Sequence, residues 1–342
     1  MNERILIVGH GLAGAVLAQT LIRAGLEIKI LEPHFPHHAS KVAAGLINPF
    51  IGPKLNPPEK IIDCLRTNQV FFAPFNKLFG KCIYQAIELH RVFRDKEQSR
   101  TWEIQGTKWE SLMLSRKLLT SEYFANLNLH APFGGGLTRA FKLDFESFLS
   151  ASKQILKDSD CWESRAYCEN DYNCFTKIIF CEGFRGKHNS WFKSLPFSPA
   201  QGEVLKIGLC CSIPLSNGTW LLPDGNSKNS AGSTWKHDDL ESGPTEEGKR
   251  EILNNLSFLK DPPCEIISHI SGVRSSTIDR MPMIGKHPQN SKVFIFNGFG
   301  SRGATTIPYY AEKMTKYLTK QKTLPLEADI KRFYDNQKIR IA

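Results

Sequence analysis

The sequence predicts an α/β protein, α+β overall, that combines a parallel sheet with an antiparallel one. Short β-branched runs at both ends of the chain each lead into a glycine turn and a helix, as buried parallel strands do. Between residues 197 and 234, strand-like segments alternate with Gly, Asn and Pro turns, which indicates an antiparallel sheet. With 342 residues the chain is long enough for two domains.

The first 32 residues predict one strand–helix–strand unit. Residues 5–8 and 28–31 are short apolar runs typical of buried strands, and residues 15–24 carry apolar side chains at helical spacing. Gly25 follows where a helix of this length would end. Two parallel strands joined by a helix form the unit from which nucleotide-binding sheets are built.

Three glycines, Gly9, Gly11 and Gly14, lie between the first strand and the helix in the spacing Gly-x-Gly-x-x-Gly. Gly9 allows a tight turn, Gly11 lets the backbone approach a pyrophosphate, and Gly14 lets helix and strand pack closely. The free amides at the start of the helix would then hold the phosphates. Glu32, at the end of the second strand, is placed to accept hydrogen bonds from an adenosine ribose. The unit therefore predicts a dinucleotide site, and the acid favours FAD or NAD over NADP.

The remaining segments divide between the two predicted sheets. Further helices are predicted at residues 60–79, 145–156, 245–259 and 304–318, and further strands at 81–93, 136–143, 177–183 and 293–296. We assign residues 1–55, 132–195 and 270–342 to a discontinuous nucleotide-binding domain, and residues 56–131 and 196–269 to a second domain that would contact the substrate.

Composition describes an ordinary soluble protein, with 41% hydrophobic and 23% charged residues. No run approaches the ~20 apolar residues of a membrane span, and the apolar N-terminal run is explained by the strand–helix unit, so we expect a cytoplasmic protein without membrane contact. The net charge of +10 permits an anionic partner such as nucleic acid or an acidic substrate, although the basic residues are scattered. His34, His37 and His38 are predicted to lie in a loop rather than at a metal.

A second strand–glycine loop–helix sequence lies near the C-terminus. The strand at 293–296 runs directly into Asn-Gly-Phe-Gly-Ser-Arg-Gly at 297–303, which the predicted helix at 304–318 follows. This order repeats that of the N-terminus. A second anion or a polarised carbonyl group could therefore sit at the start of this helix.

Taken together, these segments resemble the D-amino-acid oxidase superfamily of FAD-dependent amine oxidoreductases. Its members include glycine oxidase, sarcosine oxidase and the FAD domain of a bifunctional enzyme that modifies the wobble uridine of tRNA. The motifs that carry the resemblance are the N-terminal glycine fingerprint, Ala-Ala-Gly at 43–45, Gly202 followed by Glu, Gly-Val-Arg at 272–274 with Asp279, Pro-Met-Ile-Gly at 282–285, and the glycine loop at 298–303.

The resemblance implies a Rossmann-like, discontinuous FAD-binding domain and a substrate domain whose antiparallel sheet covers the flavin. The ADP half of FAD would contact Gly9, Gly11, Leu12, Ala13, Gly14, Glu32, Pro33 and Ser40. The isoalloxazine ring would lie beside Ala44, Gly45 and Leu46. Its pyrimidine edge would face Gly298, Phe299, Gly300, Ser301, Arg302, Gly303, Ala304 and Thr305, where the helix start stabilises negative charge on the reduced ring. No Cys follows Cys264, so we expect FAD to be held non-covalently.

Two arginines are the candidate substrate-binding residues under this resemblance. Arg274 matches the arginine that pairs with the substrate carboxylate in the amino-acid-oxidising members, and a planar guanidinium can clamp a carboxylate through two hydrogen bonds. The alternative for Arg274 is that it braces a loop through Asp279. Arg302 lies one position away from the arginine in the family's corresponding loop. No general acid or base is assigned.

The resemblance implies oxidation of a C–N bond, in which a hydride passes from the α-carbon to flavin N5 and water hydrolyses the resulting imine. Orientation over the ring supplies much of the rate. Two substrates stay open: a small amine or amino acid, and a carboxymethylaminomethyl group on tRNA. O2 is the expected electron acceptor. A flavin-binding protein without turnover is a third alternative.

Overall fold

The computed structural model describes residues 4–33, 39–52, 54–225, 227–261, 263 and 265–338, without the side chains of residues 116 and 335–338. The predicted loop at His34, His37 and His38 lies outside this part of the chain. The strands described are β1 Arg4–Val8, β2 Glu27–Leu31, β3 Leu46–Ile47, β4 Tyr84–Val92, β5 Met113–Leu119, β6 Gly135–Leu143, β7 Trp162–Glu163, β8 Lys177–Phe180, β9 Ala200–Gly208, β10 Leu215–Ser216, β11 Trp220–Pro223, β12 Lys228–Gly232, β13 Ile266–Arg274, β14 Met283–Lys286 and β15 Val293–Asn297.

The helices described are α1 Leu12–Arg23, α2 Ala39–Val42, α3 Ile61–Phe79, α4 Lys96–Lys108, α5 Ser121–Asn126, α6 Phe145–Asp158, α7 Glu169–Cys174, α8 Glu246–Asn255, α9 Gly303–Leu318 and α10 Lys331–Lys338. Two predicted caps are confirmed: the Asp144 side chain accepts from the Ser147 amide at the start of α6, and the Thr245 side chain accepts from the Gly248 amide at the start of α8. None of the described helices is long and apolar enough to span a bilayer.

The first sheet has six strands in the order β14-β15-β8-β1-β2-β7. Its strands β15, β8, β1, β2 and β7 are parallel, and β14 adds an antiparallel edge. Alternate residues of β1 point to opposite faces: Ile5 and Ile7 pack with α1, α3, α6 and α9 in the largest apolar cluster, whereas Leu6 and Val8 pack against a second cluster that contains Phe192. Both faces are covered, which explains the continuous apolar sequence of these strands.

The second sheet has nine strands in the order β13-β9-β12-β11-β10-β4-β6-β3, with β5 paired to β6. Its pairs are antiparallel except β10 with β4. One face packs against α8 through residues such as Leu205, Ala231 and Ile252. The other face carries a small apolar cluster of Leu89, Ala140 and Leu222, against which Ala44, Leu46 and Trp220 pack.

The α/β class, α+β overall, with a Rossmann-like sheet and an antiparallel sheet, is confirmed. The domain boundaries stay a prediction, but two long strands, β6 and the end of β13, belong to a different sheet from the one expected. The short β3, within the segment 1–55, does so too, because it pairs with β6. Strand β6, which lies within the segment 132–195, pairs over nine residues with β4 of the nine-stranded sheet. The end of β13, predicted at 270 to begin the last nucleotide-binding segment, continues its pairing with β9 as far as Arg274. Both strands are recruited by a long partner strand, which a local pattern does not reveal.

Candidate cofactor and substrate site

The N-terminal glycine loop has two glycines that packing requires and one that packing does not require. Gly9 has φ +106, and a β-carbon there would lie 2.5 Å from the Cys181 carbonyl oxygen. A β-carbon at Gly14 would overlap the carbonyl oxygen of Gly9. At Gly11 the nearest atom to a β-carbon is the Ser40 hydroxyl at 3.4 Å, which is ordinary contact. Gly11 is therefore the glycine that packing leaves free for a ligand to approach.

The start of α1 fits an anion. Gly11 is its N-cap and has no side chain that could cap the helix, and the first turn of α1 has no acidic residue. The Leu12 amide donates to the Ser40 hydroxyl at 3.1 Å, so the chain at Ser40 is tied to the glycine loop. Backbone amides at an uncapped helix start, including those of Ala13 and Gly14, form a ready site for phosphate. The predicted residues Gly9, Gly11, Leu12, Ala13, Gly14 and Ser40 therefore lie together.

The predicted ribose acceptor, Glu32, lies at the end of β2 in a partly buried ion pair. The Lys153 ammonium group is 3.0 Å from its carboxylate and 4.5 Å from the centre of the Trp162 ring. A carboxylate has about four lone-pair positions, so this ion pair orients Glu32 and leaves acceptor capacity for hydroxyl groups.

His10 is a buried polar residue inside the glycine fingerprint, and no role was predicted for it from the sequence. Its side chain is 6% exposed, its Nε2 lies 3.2 Å from the Ser152 hydroxyl, and its ring meets Trp162 edge-on at 4.7 Å. Burial lowers the pKa of His10 to about 4, while nearby Glu32 acts in the opposite direction. The imidazole is therefore neutral at pH 7 and helps to hold α6 against the glycine loop.

A cavity of about 210 Å³ opens beside Pro33, at the carboxyl ends of β1 and β8. Dinucleotides bind at this edge of a parallel sheet. Its lining includes Val8, Pro33, Tyr167, Phe180, Glu182, Asn189 and Trp191. The Asn189 amide donates to the Glu182 carboxylate at 2.7 Å, and burial raises the pKa of Glu182. Sequence reasoning missed Tyr167, Glu182, Asn189 and Trp191; the only signal was Glu-Gly directly after a buried strand.

The segment predicted to run beside the flavin ring packs between the two sheets. Gly45 has φ +73, and a β-carbon there would overlap the Leu143 carbonyl oxygen, so only glycine fits. Ala44 and Leu46 pack against the apolar face of the nine-stranded sheet. Helix α2, which precedes them, lies on β13, where the Ala39 backbone and the Val42 side chain are 3.2 and 3.1 Å from the β-carbon position of Gly272.

The C-terminal glycine loop continues from β15 into α9 through a 3-10 turn at Gly300–Arg302. Gly298 and Gly300 have φ values of +78 and +54, and Asn297 fixes the loop by accepting from the Gly298 amide at 2.8 Å. The buried Ser276 hydroxyl has no hydrogen-bond partner and lies 3.0 Å from the β-carbon position of Gly300. A buried polar atom without a partner is costly, so it marks where a ligand atom would be expected.

The remaining predicted residues of this loop lie around the start of α9. Phe299 and Thr305 are buried, Ser301 is exposed, and Arg302, Gly303 and Ala304 are half-buried. Asn68 of α3 donates to the Ala304 carbonyl oxygen at 3.1 Å, and its own Oδ1 is buried without a partner. The glycine cradles and these two unpartnered atoms fit FAD; the role of each residue towards it stays a prediction.

Arg274 is a largely buried cation held by neutral groups. Its guanidinium donates to the Ser233 hydroxyl at 2.6 Å and to the carbonyl oxygens of Thr234 and Gln201 at 3.1 and 3.4 Å. Burial lowers the pKa of Arg274 to about 10, which keeps the guanidinium charged at pH 7. Asp279 pairs instead with Arg332 at 2.9 Å, so the alternative that Arg274 braces a loop through Asp279 is wrong.

The side chain of Arg274 lies on the same face of the nine-stranded sheet as the apolar cluster of Leu89, Ala140 and Leu222. It covers Gly202, where a β-carbon would overlap the guanidinium. Val204, Gly232 and Trp220 are partners on neighbouring strands, so they share that face, and Trp220 packs with Leu222 in the cluster. The structure therefore brings one cation and an apolar wall together on one side of the nine-stranded sheet.

The family model described as FAD dependent oxidoreductase, DAO, matches residues 4–141 and 153–317. This site therefore belongs to a flavoenzyme class, the FAD-dependent oxidoreductases. Within that class the chain is a member of the DAO family, as the resemblance predicted, and its cofactor is FAD.

Relatives of two kinds are similar to the chain. The tRNA 5-methylaminomethyl-2-thiouridine biosynthesis bifunctional protein MnmC of Campylobacter jejuni is 24% identical over 301 residues, which are 83% of this chain and 46% of that protein. The chain thus spans about half the length of this relative. Glycine oxidase of Pseudomonas aeruginosa is 20% identical over 342 residues, covering 90% of this chain and 92% of that protein.

Solved structures share the fold. Iminodiacetate oxidase from Chelativorans sp. BNC1 has a TM-score of 0.78 at 18% identity and covers 95% of this chain and 98% of its own. Glycine oxidase from Bacillus cereus has a TM-score of 0.76 at 18% identity, with 94% and 96% covered. At these identities the likeness shows the fold alone.

Proposed function

We propose that this protein oxidises the C–N bond of an amine that carries a carboxylate next to the reacting carbon. The observation that carries the proposal is Arg274, a charged guanidinium whose described partners are all neutral. It lies on the face of the nine-stranded sheet that carries the apolar cluster of Leu222 and Trp220. A buried cation without a counter-ion is costly, and an incoming carboxylate would supply that counter-ion.

In this proposal the chain acts by orientation and exclusion of water. Arg274 fixes the carboxylate, and the wall that includes Trp220 and Leu222 keeps the α-carbon in apolar surroundings. When bound, FAD supplies the acceptor for the hydride that leaves the α-carbon. The lone pair of the neutral amine forms the C=N bond, the proton on nitrogen leaves to solvent, and water then cleaves the imine to a carbonyl product and an amine. O2 is the proposed final acceptor.

Anaerobic bleaching of the flavin absorbance tests this reaction directly. We expect glycine, N-methylglycine or another N-alkyl glycine to bleach it, and the matched amine without a carboxylate to do so far more slowly. Peroxide formed on admitting air would support O2 as acceptor. Failure of every amine, free or carried on RNA, to reduce the flavin would favour a flavin-binding protein without turnover.

A second candidate substrate is an amino-acid arm carried on tRNA. It is favoured by the name of the Campylobacter jejuni relative and by the net charge of +10, since phosphate contacts dominate affinity for RNA. A salt-dependent tRNA gel shift tests it. Unchanged mobility of the tRNA at low salt would exclude this candidate and leave the small amine.

A further inference from the structure

Arg91 on β4 is a deeply buried arginine to which the described residues supply no counter-ion. It is 3% exposed, and the described acceptor for its N–H groups is the Gly52 carbonyl oxygen, 3.4 Å from Nη2. Its Nε is buried without a hydrogen-bond partner in this part of the chain. Burial, and then the like charge of Arg94, lower the pKa of Arg91 to about 10, so the guanidinium is charged at pH 7. An uncompensated buried charge is costly, which makes Arg91 a candidate for binding an anion.

Arg91 lies on the face of the sheet that carries the apolar wall of the proposed substrate site. Leu89, two residues before it on β4, belongs to that wall together with Leu222. Phe93, two residues after it, packs with Trp102 in another apolar cluster. Arg91 is therefore a cation between two apolar clusters. An ion pair formed there is screened by water and salt far less than one at the surface.

The indole of Trp102 supplies a second buried donor at this place. Its ring covers Gly136, the residue opposite Arg91 on β6, so closely that a β-carbon at Gly136 would overlap it. The nearest ring atom is Cε2, which is bonded to Nε1, so the N–H group of the indole lies on the side of this strand pair. Nε1 is buried and has no hydrogen-bond partner among the described residues. Indole and guanidinium groups donate and do not accept, so they cannot satisfy each other and both require a third group.

We propose that Arg91 and Trp102 form a second anion site, which binds a carboxylate or a similar small oxyanion. Such a group accepts hydrogen bonds through two oxygens and supplies the missing negative charge, whereas water would leave the guanidinium uncompensated. Four strands of the sheet separate β4 from β13, so this anion is not the carboxylate assigned to Arg274. The inference therefore goes beyond the proposed function and does not depend on it. Two sources of the anion share this chemistry: a free anion, and the far end of an extended substrate that lies along the apolar wall.

Melting temperatures of the FAD-loaded protein test the site without any turnover. The probe is acetate, exchanged for chloride at constant ionic strength, and the parent protein is Arg274→Met, which removes the other cation. Arg91→Met is added to remove the charge while keeping a long side chain, and Trp102→Phe to remove the N–H group while keeping an aromatic ring. Arg139→Met is the matched control, because Arg139 is an exposed arginine on the neighbouring strand β6.

We expect acetate to raise the melting temperature of the parent to a plateau. Arg91→Met should raise the apparent dissociation constant of acetate about 10-fold or more and Trp102→Phe about 5-fold, because a charged and a neutral donor are lost. Arg139→Met should leave it unchanged. Without acetate, Arg91→Met should melt no lower than the parent, because an uncompensated charge is removed. A parent that does not respond to acetate, or a response that survives Arg91→Met, would overturn the inference. If Arg91→Met does not fold, an unchanged acetate affinity in Trp102→Phe overturns it instead.

Dicarboxylates of increasing chain length then distinguish the two sources of the anion. If the site holds the far end of a substrate, one dicarboxylate should bind the FAD-loaded wild type at least about 10-fold more tightly than the monocarboxylate of equal length, because the two ends bind together. Either Arg91→Met or Arg274→Met alone should remove that advantage. If the site holds a free anion, no dicarboxylate should gain. Both results support the anion site, and neither depends on reduction of the flavin by an amine, so failure of the proposed function would appear separately.

Discussion

The cofactor side and the substrate side of this protein are built in different ways. Around the six-stranded sheet, the glycine loop from Gly9 to Gly14 joins a strand to the helix that follows it, so its main parts are neighbours in sequence. On the nine-stranded sheet, Arg274 is held by residues 40 to 73 positions away. The first site depends on backbone geometry and the second on side chains that the topology brings together.

This difference predicts that the two sides fail differently when mutated. A change at the closely packed glycines of the loop, Gly9 or Gly14, acts on the backbone and should lower stability and cofactor binding together. A change on the substrate sheet should leave a folded flavoprotein that reacts poorly.

The largest effect is expected at the glycines. In Gly14→Ala the new β-carbon overlaps the Gly9 carbonyl oxygen, so α1 must move away from β1, and we expect a loss of about 3 kcal/mol or more of unfolding free energy together with bound FAD. Gly11→Ala is the matched control, because its β-carbon only touches Ser40. It should keep its melting temperature and bind FAD more weakly. Thermal unfolding and flavin absorbance per protein measure both, and a normally stable Gly14→Ala would contradict the packing argument.

The next effect concerns Arg274. Arg274→Ala should retain FAD. The ratio of its rate constant for flavin reduction to its substrate dissociation constant should fall about 100-fold or more, because the substrate carboxylate loses its buried partner. Arg274→Lys keeps the positive charge but lacks the planar guanidinium, so it should recover only part of the lost reduction efficiency. Stopped-flow reduction measures these values. If Arg274→Ala slowed flavin reduction by an amine without a carboxylate by the same factor, Arg274 would not be the carboxylate partner.

A smaller effect should appear as a pH dependence of stability. The pKa of His10 is lowered from 6.5 to about 4 in the folded protein, chiefly by burial. Its contribution is therefore complete well above pH 6.5 and is lost as the pH falls towards 4, by about 2.5 kcal/mol between pH 7 and pH 4.5. The free energy of unfolding measured with urea should fall less steeply between pH 7 and pH 4.5 for His10→Phe than for the wild type. Phenylalanine keeps the ring contact with Trp162 but cannot be protonated. Parallel pH profiles would assign the acid lability to other groups.

The smallest effect is expected in the cavity beside Pro33. If this cavity takes the adenosine half of FAD, Glu182→Ala should weaken FAD and ADP by the same factor, about 5- to 10-fold, as one hydrogen-bonding group is lost. Glu182→Gln keeps the size of the side chain and should weaken them less. Titration calorimetry measures both ligands. FMN lacks adenosine, so an equal loss for FMN would place Glu182 outside the adenosine site.

Much of the fold could be predicted because its signals are local. The unit from β1 to β2, the Asp144 and Thr245 caps, and the passage from β15 through glycines into α9 each depend on residues a few positions apart. The sheet to which β6 belongs could not be predicted in this way. Its strand pattern is the same in either sheet, and only pairing with the distant β4 decides between them.

The candidate site divides along the same line. The roles of Gly9, Gly14 and Gly45 could be predicted from the sequence. Positive φ angles or close backbone contacts exclude a β-carbon at these positions, so only glycine fits. The neutral partners of Arg274 and the position of Trp235 over it depend on how β9, β12 and β13 align. The cavity at Glu182 also depends on tertiary structure, because its lining comes from the ends of β1 and β8 and from loops far apart in the chain.

By itself, the sequence determined a dinucleotide site, and its resemblance to a known family indicated the class of this protein and FAD as its cofactor. Backbone turns and helix starts that bind a dinucleotide require particular residues at fixed short spacings. Only the tertiary structure decided what surrounds Arg274 and which aromatic ring lies beside it. Those contacts join residues from separate strands, and a sheet can bring together side chains whose distance along the chain carries no signal.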